Sequence, residues 1–250
     1  ERGLAAIERN YDATVKRGRL TSEAVAERLG RIRTQVGYDG VETADLVVEA
    51  VFESLSIKQQ VFAELDAIAK PGAVLATNTS SLSVTEMAAA TARPQRVVGL
   101  HFFNPVPKMP LVEVVRAAKS DDASLATAFG LASRIGKTPV LVKDAPGFLV
   151  NRVLIPYLAE ALVMAGEGVS VTAVDEAMKH WGMPMGPFEL LDEIGLDIGA
   201  HVLKSLGDKL DPPLAVPPQM GKALERGWLG KKSGTGFYVH GAGKKKGKKE

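Results

Sequence analysis

The chain of 250 residues contains no cysteine. Disulfide bonds, thiol catalysis and cysteine-bound metals are therefore excluded for these residues. Histidine is also scarce, and its few positions show neither the HxH nor the HxxxH spacing that metal sites use. No metal site is predicted. The four histidines are His101, His180, His201 and His240.

Long apolar runs and a strong charge of one sign are missing as well. No window approaches the roughly 18 to 20 apolar residues that a membrane-spanning helix needs, and the opening residues show no secretory signal pattern. The formal net charge of +2 gives no electrostatic reason to expect nucleic-acid binding. With 46% hydrophobic and 24% charged residues, the composition is typical of an ordinary soluble globular protein.

Short apolar runs alternate with helical patterns through the first 143 residues. Apolar runs of this length are typical of strands buried on both faces of a parallel sheet. Their alternation with helices predicts βαβ units and a mostly parallel sheet. The predicted strands cover 45–51, 73–77, 97–102, 111–115 and 139–142, and the predicted helices cover 3–30, 58–69, 84–90 and 122–135.

The pattern changes at Asp144-Ala145-Pro146-Gly147. Beyond this segment helical spacing dominates, and a strand is predicted only at Gly236–Tyr238. We therefore predict an α/β domain over 1–143, an all-α domain over 144–240 and a Lys/Gly tail over 241–250. The tail is typical of a solvated linker or a frayed end.

A histidine and a carboxylate are joined by a proline-rich turn in the run from His101 to Val114. The run predicts a strand that ends near His101, a turn through Pro105, Pro107 and Pro110, and a second strand that carries Glu113. Because the turn doubles the chain back, the histidine and the carboxylate can form an oriented acid–base pair. Proton transfer coupled to another bond change requires such a pair.

Six segments, in this order, resemble motifs of the 3-hydroxyacyl-CoA dehydrogenase family. Together they extend over nearly all of residues 1–240, so the resemblance is far more specific than that of any single motif. The segments are 47–53 (VVEAVFE), 78–81 (NTSS), 101–114 (HFFNPVPKMPLVEV), 144–152 (DAPGFLVNR), 184–192 (PMGPFELLD) and 232–238 (KSGTGFY).

The resemblance implies a truncated doubly wound sheet, a Rossmann-type fold, followed by a helical C-terminal domain. It also implies NAD as cofactor and oxidation of a (3S)-3-hydroxyacyl-CoA to the 3-ketoacyl-CoA in fatty-acid β-oxidation. In that reaction His101 would be the general base, and Glu113 would orient its imidazole ring.

Ser80, Asn104 and Asn151 fall where the family contacts the acyl-CoA substrate. Each has a simpler alternative that stays open at this point. Ser80 lies in the polar turn after the second predicted strand, where a serine is more often a helix cap, and Ser81 or Ser83 could be that cap. Asn151 opens a predicted helix and could also be a cap, whereas Asn104 precedes Pro105 and suits a turn.

Glu53, Lys58 and Asn78 fall where the family contacts the cofactor. Glu53 and Lys58 correspond to contacts with the nicotinamide-side ribose, and Asn78 lies in the polar elbow after the second strand. Without the resemblance, Glu53 and Lys58 would be interpreted as ordinary surface charges at a strand-to-helix turn.

A dinucleotide-binding fold opens with a strand, a GxGxxG turn and a helix. None of the glycines before the predicted strand at 45–51 forms such a turn. The family pattern puts this unit immediately before residue 1, so we expect the chain to be a family member without its first βαβ portion. NAD binding by these 250 residues alone is accordingly not expected.

The lysine-rich segment after Tyr238 resembles the spacer that follows this module in multifunctional β-oxidation enzymes. The sequence at Trp181–Pro184 resembles that class too. For the lysine-rich segment, a simple lysine tail is the open alternative, because it would look the same. The resemblance further implies a homodimer. A bacterial cytoplasm is the expected compartment, with a mitochondrial or peroxisomal matrix as the open alternative.

Two rival functions remain from the sequence. Sugar-acid dehydrogenases related to gulonate dehydrogenase share the histidine–glutamate layout, but Phe102-Phe103 after His101 favours the acyl-CoA branch. The chain could also be a catalytically silent acyl-CoA-binding fragment, because it contains no phosphate-binding glycine loop.

Overall fold

The computed structural model describes residues 2–210 and 213–240. These residues divide into two compact units, with the division between Thr43 and Ala44. The domain boundary predicted at 143/144 lies inside the second unit and stays a prediction. The predicted tail, 241–250, lies outside the described residues.

The first unit consists of two helices, α1 (Arg2–Val15) and α2 (Ser22–Leu29). The region predicted as helical over 3–30 is divided before α2, where the Thr21 hydroxyl caps the helix by accepting a hydrogen bond from the backbone N–H of Ala24. A short 3-10 turn over Val41–Thr43 ends this unit.

The second unit begins with an α/β layer that confirms every predicted strand up to residue 143, with end shifts of one or two residues. The five strands form one sheet in the order β1-β2-β3-β4-β5. They are β1 (Leu46–Glu49), β2 (Val74–Thr77), β3 (Val97–Phe102), β4 (Leu111–Arg116) and β5 (Thr138–Lys143), with helices α3 (Leu55–Ile68), α4 (Val84–Ala88) and α5 (Asp122–Arg134) between them.

The sheet is parallel except between β3 and β4, which run antiparallel. The proline-rich turn allows this reversal, because antiparallel neighbours need only a short connection. Residues of β2, β3 and β4 pack against one face of α5 to form a core with fully buried Leu100, Val112 and Ala128.

One expectation about the sheet was wrong. β1 was predicted to be buried on both faces, but Val48 is 42% exposed. Among the described residues β1 pairs only with β2, so it is an edge strand and lacks the cover that an interior strand has.

A helical layer follows β5, as predicted. The long helix α6 packs against α8 and α10 around the buried ring of Phe188, and a smaller core forms where α6 meets α9. The helices are α6 (Val150–Gly166), α7 (Val171–Trp181), α8 (Pro187–Ile194), α9 (Leu196–Gly207) and α10 (Pro218–Glu225).

The strand predicted at Gly236–Tyr238 was wrong. Only isolated bridges, such as Thr235 with Val239, occur there. The backbone N–H groups of Phe237 and Tyr238 instead donate to the buried carboxylate of Asp192, each at 2.9 Å. Because a side chain takes these donors, the segment is anchored to α8 without a sheet partner.

Candidate active site

The antiparallel register of β3 and β4 puts His101 directly opposite Glu113. His101 is 6% exposed and Glu113 is fully buried. His101 Nδ1 lies 2.8 Å from Glu113 Oε2, a hydrogen-bond distance. The two residues that the sequence predicted as an acid–base pair are thus in contact.

The second oxygen of Glu113 binds the start of α6. Glu113 Oε1 accepts the backbone N–H groups of Leu149 and Val150, each at 2.9 Å. No side chain next to the helix caps α6, so a strand residue supplies the acceptor for these otherwise unpaired donors. One carboxylate therefore joins the imidazole of His101 to the first turn of a 17-residue helix.

These contacts keep Glu113 ionised. Burial raises the pKa of its carboxyl, but the hydrogen bonds from His101, Val150 and Leu149 outweigh burial, so the pKa lies below its ordinary value. An ionised carboxylate accepts hydrogen bonds only, so Nδ1 of the neutral imidazole carries the proton. Nε2 then presents a lone pair, which is the form that a general base needs.

Two aromatic rings flank the imidazole of His101. The ring centroid of Phe103 lies 4.5 Å away and that of Phe148 lies 5.8 Å away. Phe148 has a φ of +49°, in the left-handed region that non-glycine residues seldom adopt. This conformation follows Gly147, with φ of +73°, and turns the chain so that the N–H groups of the next two residues meet Glu113.

Ser80 lies in the elbow after β2 and is held by Glu53. Glu53 Oε1 accepts hydrogen bonds from the Thr79 hydroxyl at 2.6 Å, the Ser80 N–H at 2.9 Å and the Ser80 hydroxyl at 3.2 Å. Burial raises the pKa of Glu53, but these bonds and the nearby Lys58 charge hold it below its ordinary value. The helix cap of this region is Ser83, as the sequence allowed.

Asn151 contacts the same elbow. Its Nδ2 donates to the backbone carbonyl of Ser80 at 3.3 Å. The capping alternative for Asn151 was wrong, because α6 starts at Val150 and Leu149 is its N-cap residue. The structure therefore brings together Ser80 and Asn151, which are 71 positions apart in the sequence.

The other two predicted asparagines have different surroundings. Asn78 Oδ1 accepts the backbone N–H of Phe102 at 3.0 Å, so this side chain joins the end of β2 to the residue after His101. Asn104 is exposed in the turn before Pro105. Asn104 therefore lies in a turn, as its simpler alternative predicted, and it is also accessible to solvent.

The environment of Lys58 differs most from what its position in the sequence suggests. The alternative interpretation of Lys58 as an ordinary surface charge was wrong, because Lys58 is 0% exposed, whereas its predicted role at the cofactor stays a prediction. Its Nζ lies 2.8 Å from Glu49 Oε1 and 3.6 Å from Glu53 Oε2. Glu53, by contrast, keeps a side chain that is 37% exposed.

Sequence reasoning missed two carboxylates that organise this region. Glu49 ends the apolar strand β1 and accepts bonds from Lys58 and from the Thr77 hydroxyl. Asp144 accepts the Ser83 hydroxyl and the N–H groups of Val84 and Thr85 at the start of α4. A charge inside an apolar run was a usable signal for Glu49, whereas nothing in the sequence connects Asp144 to a helix 60 positions earlier.

Within residues 2–210 and 213–240, no cluster of three or more histidine and carboxylate side chains could hold a metal ion. In the same described part of the chain, no helix has the length and apolar character needed to cross a membrane.

The fold and the site define an α/β protein of the dinucleotide-binding class with a buried histidine–carboxylate pair and a helical C-terminal layer. The sequence model of the 3-hydroxyacyl-CoA dehydrogenase NAD-binding domain matches residues 1–145, and that of the family's C-terminal domain matches residues 147–240. The chain belongs to the 3-hydroxyacyl-CoA dehydrogenase family.

Curated relatives include the fatty acid oxidation complex subunit alpha of Vibrio cholerae, 43% identical over 246 residues and 97% of this chain. The subunit of the same name from Shewanella amazonensis is 42% identical over 95% of this chain. The match covers 35% and 34% of these two relatives, so the chain spans about a third of their length.

Solved structures of 3-hydroxybutyryl-CoA dehydrogenases also resemble this chain. The (S)-3-hydroxybutyryl-CoA dehydrogenase of Ralstonia eutropha superposes with a TM-score of 0.91 and 38% identity, over 96% of this chain and 86% of that chain. The 3-hydroxybutyryl-CoA dehydrogenase of Escherichia coli has the same TM-score and identity over 98% of this chain and 52% of its own. The doubly wound sheet with a helical C-terminal layer is thereby confirmed.

Proposed function

We propose that the chain is the dehydrogenase part of a β-oxidation enzyme, which oxidises (3S)-3-hydroxyacyl-CoA to 3-ketoacyl-CoA with NAD. The observation that carries this proposal is the buried pair of His101 and Glu113, joined at 2.8 Å in a chain of this family. A base with its tautomer fixed by a carboxylate suits removal of a hydroxyl proton.

His101 Nε2 takes the proton of the 3-hydroxyl group while the C3–H bond of the substrate breaks. The imidazolium that forms is stabilised by the ionised carboxylate of Glu113. NAD, when bound, supplies the acceptor for the hydride. In the reverse direction the same imidazolium returns its proton to the substrate oxygen.

Ser80, Asn104 and Asn151 are the proposed substrate contacts. Asn151 Nδ2 already donates to the Ser80 carbonyl, so the two side chains approach the substrate from one elbow. The Ser80 hydroxyl donates to Glu53, which leaves its oxygen as an acceptor for a donor group of the substrate other than the 3-hydroxyl, whose single proton goes to His101. Asn104, exposed beside the strand that carries His101, can bind the thioester portion.

The polar side chains at the carboxyl edge of the sheet are suited to bind the nicotinamide-side ribose of NAD. Glu53 has a partly exposed side chain whose Oε2 can accept from a ribose hydroxyl, and Asn78 keeps its amide N–H groups. Lys58 acts there through Glu53. The amides that would hold the pyrophosphate need a glycine-rich turn, which residues 1–250 do not contain.

Nearly all of this chain matches about a third of the length of the alpha subunits. This match supports the proposal that these residues form part of a larger multifunctional β-oxidation chain. We further propose that 144–240 form a helical domain that takes part in homodimer formation, and that the protein works in the bacterial cytoplasm. A catalytically silent acyl-CoA-binding fragment is the second candidate, favoured only by the missing glycine-rich turn.

The test is NADH consumption with acetoacetyl-CoA by the chain and by its His101→Ala variant, together with gulonate and NAD as an alternative substrate pair. Acetoacetyl-CoA turnover that disappears in the variant supports the proposal, and gulonate oxidation contradicts it. An NADH titration separates the two remaining cases. Turnover that persists in the variant refutes the role of His101, and saturable NADH binding without turnover refutes the dehydrogenase activity. No binding shows that residues 1–250 do not hold the cofactor by themselves.

A further inference from the structure

Two side chains of opposite charge lie entirely inside the α/β layer. Lys58 is 0% exposed, the Glu49 side chain is 1% exposed, and their charged atoms are 2.8 Å apart. Burial of charged groups is costly, and replacement of such a pair by apolar side chains is often neutral or stabilising. Stability alone therefore gives no reason for this pair to be charged.

Both carboxylate oxygens of Glu49 accept hydrogen bonds from neighbouring groups. Oε1 accepts from Lys58 and from the backbone N–H of Val51, and Oε2 accepts from the Thr77 hydroxyl at 2.8 Å. The carboxylate thus joins the ends of β1 and β2 to the first turns of α3. Lys58 is consequently held in one position.

Lys58 extends this contact toward the site. Its Nζ lies 3.6 Å from Glu53 Oε2, and Oε1 of the same carboxylate accepts from Thr79 and Ser80. A continuous path of charged and hydrogen-bonded groups therefore runs from Glu49 through Lys58 and Glu53 to Ser80. One cation serves two carboxylates, so its removal leaves Glu53 without a charged partner.

We propose that Glu49 and Lys58 are positioning residues, which act through Glu53 to hold Ser80 in place. Ser80 lies in an elbow after β2, where ladder bonds have ended, and the Glu53 side chain is partly exposed. A glutamate side chain that is free on one side can adopt several rotamers. The fixed charge of Lys58 selects one of them. The importance of this position for turnover rests on the substrate contact proposed above for Ser80.

A second ion pair on α3 supplies a matched control. Arg93 Nε lies 2.8 Å from Asp66 Oδ1, and the two side chains are 21% and 10% exposed. Asp66 also accepts the backbone N–H of Ala92. This pair holds the other end of α3 to the segment after α4, and its contacts include neither Glu53 nor Ser80.

The test replaces the buried pair with a neutral pair of similar shape, Glu49→Gln with Lys58→Met. No unpaired charge remains inside, so the variant is expected to fold. The backbone amide of Ser80, followed by ¹H–¹⁵N NMR, should move upfield and exchange with solvent about tenfold faster, as expected when a hydrogen bond to a charged acceptor weakens. Asp66→Asn should lower the urea midpoint without moving this resonance.

An unchanged Ser80 resonance in the double variant overturns the proposal, and so does an equal change in Asp66→Asn. If the double variant does not fold, the wild-type protein decides through its Lys58 ammonium signal. A buried, hydrogen-bonded ammonium exchanges slowly and shows contacts to Glu49 and Glu53, whereas a missing signal at neutral pH overturns the proposal. None of these measurements needs turnover, so failure of the proposed dehydrogenase function would be recognised separately.

Discussion

Replacement of Glu113 by glutamine should reverse the tautomer of His101. The carboxylate accepts the proton on Nδ1, whereas a glutamine amide can also donate. The N–H groups of Leu149 and Val150 need an acceptor, so the amide oxygen is expected to turn toward them. The amide nitrogen then faces His101 and donates to Nδ1, which moves the imidazole proton to Nε2.

The cost follows from the three hydrogen bonds that Glu113 accepts, at 2.8, 2.9 and 2.9 Å. A hydrogen bond to a charged group contributes about 1.5–3 kcal/mol and a neutral one about 0.5–1.5 kcal/mol. Loss of the charge at all three should lower the free energy of unfolding by about 3–4 kcal/mol. If the proposed reaction holds, loss of the base should lower turnover by about 10²- to 10⁴-fold.

The tautomer is measured by long-range ¹H–¹⁵N correlations of the His101 ring under alkaline conditions, and stability is measured by urea unfolding. Glu86→Gln is the matched control, because it makes the same chemical change on an exposed side chain of α4. A proton that stays on Nδ1 in the Glu113→Gln variant would refute the account of the pair. An unchanged urea midpoint would refute the role of Glu113 at the start of α6.

Burial raises the pKa of Glu113, but its hydrogen bonds lower the pKa by more, so the net shift is downward. Its stabilising contribution is therefore complete above about pH 4.5 and is lost as pH falls through the lower folded-state pKa. Urea midpoints of the wild type and Glu113→Gln should therefore converge in that acid range, and a constant difference contradicts this. Asp144→Asn should lower the free energy of unfolding by about 1–2 kcal/mol, because it weakens three bonds at the start of α4. Gly130→Ala, inside α5 with no atom within 4 Å of the new Cβ, should stabilise by about 0.5–1 kcal/mol in the same assay. Gly99→Ala should destabilise by about 1–3 kcal/mol, since its Cβ would lie 2.6 Å from that of Val115; equal effects at the two glycines contradict the packing argument.

Most of the α/β layer was predictable because its signals are local. The strands at Val97–Phe102 and Leu111–Arg116 are apolar runs bounded by turn residues, and the prolines between them predict the reversal. The predicted contact of His101 with Glu113 follows from that reversal, because two short strands joined by one turn leave few possible registers.

The segment at Gly236–Tyr238 and the side chain of Lys58 were not predictable in this way. Glycine and aromatic residues at 236–238 favour a strand, but the acceptor that holds their N–H groups is Asp192, 45 positions earlier. Lys58 has the local pattern of a surface lysine on a helix. Its burial depends on Glu49, which comes from a neighbouring strand.

The sequence by itself determined the family, the order of strands and helices, and the residue types that proton transfer requires, because motifs and hydrophobic periodicity are properties of neighbouring residues. Only the tertiary structure decided how these residues are supported. Glu113 also binds the start of α6, Asn151 reaches Ser80, and Lys58 lies between Glu49 and Glu53. Each of these contacts joins separate elements, and their atoms meet only after the sheet and its helices have packed together.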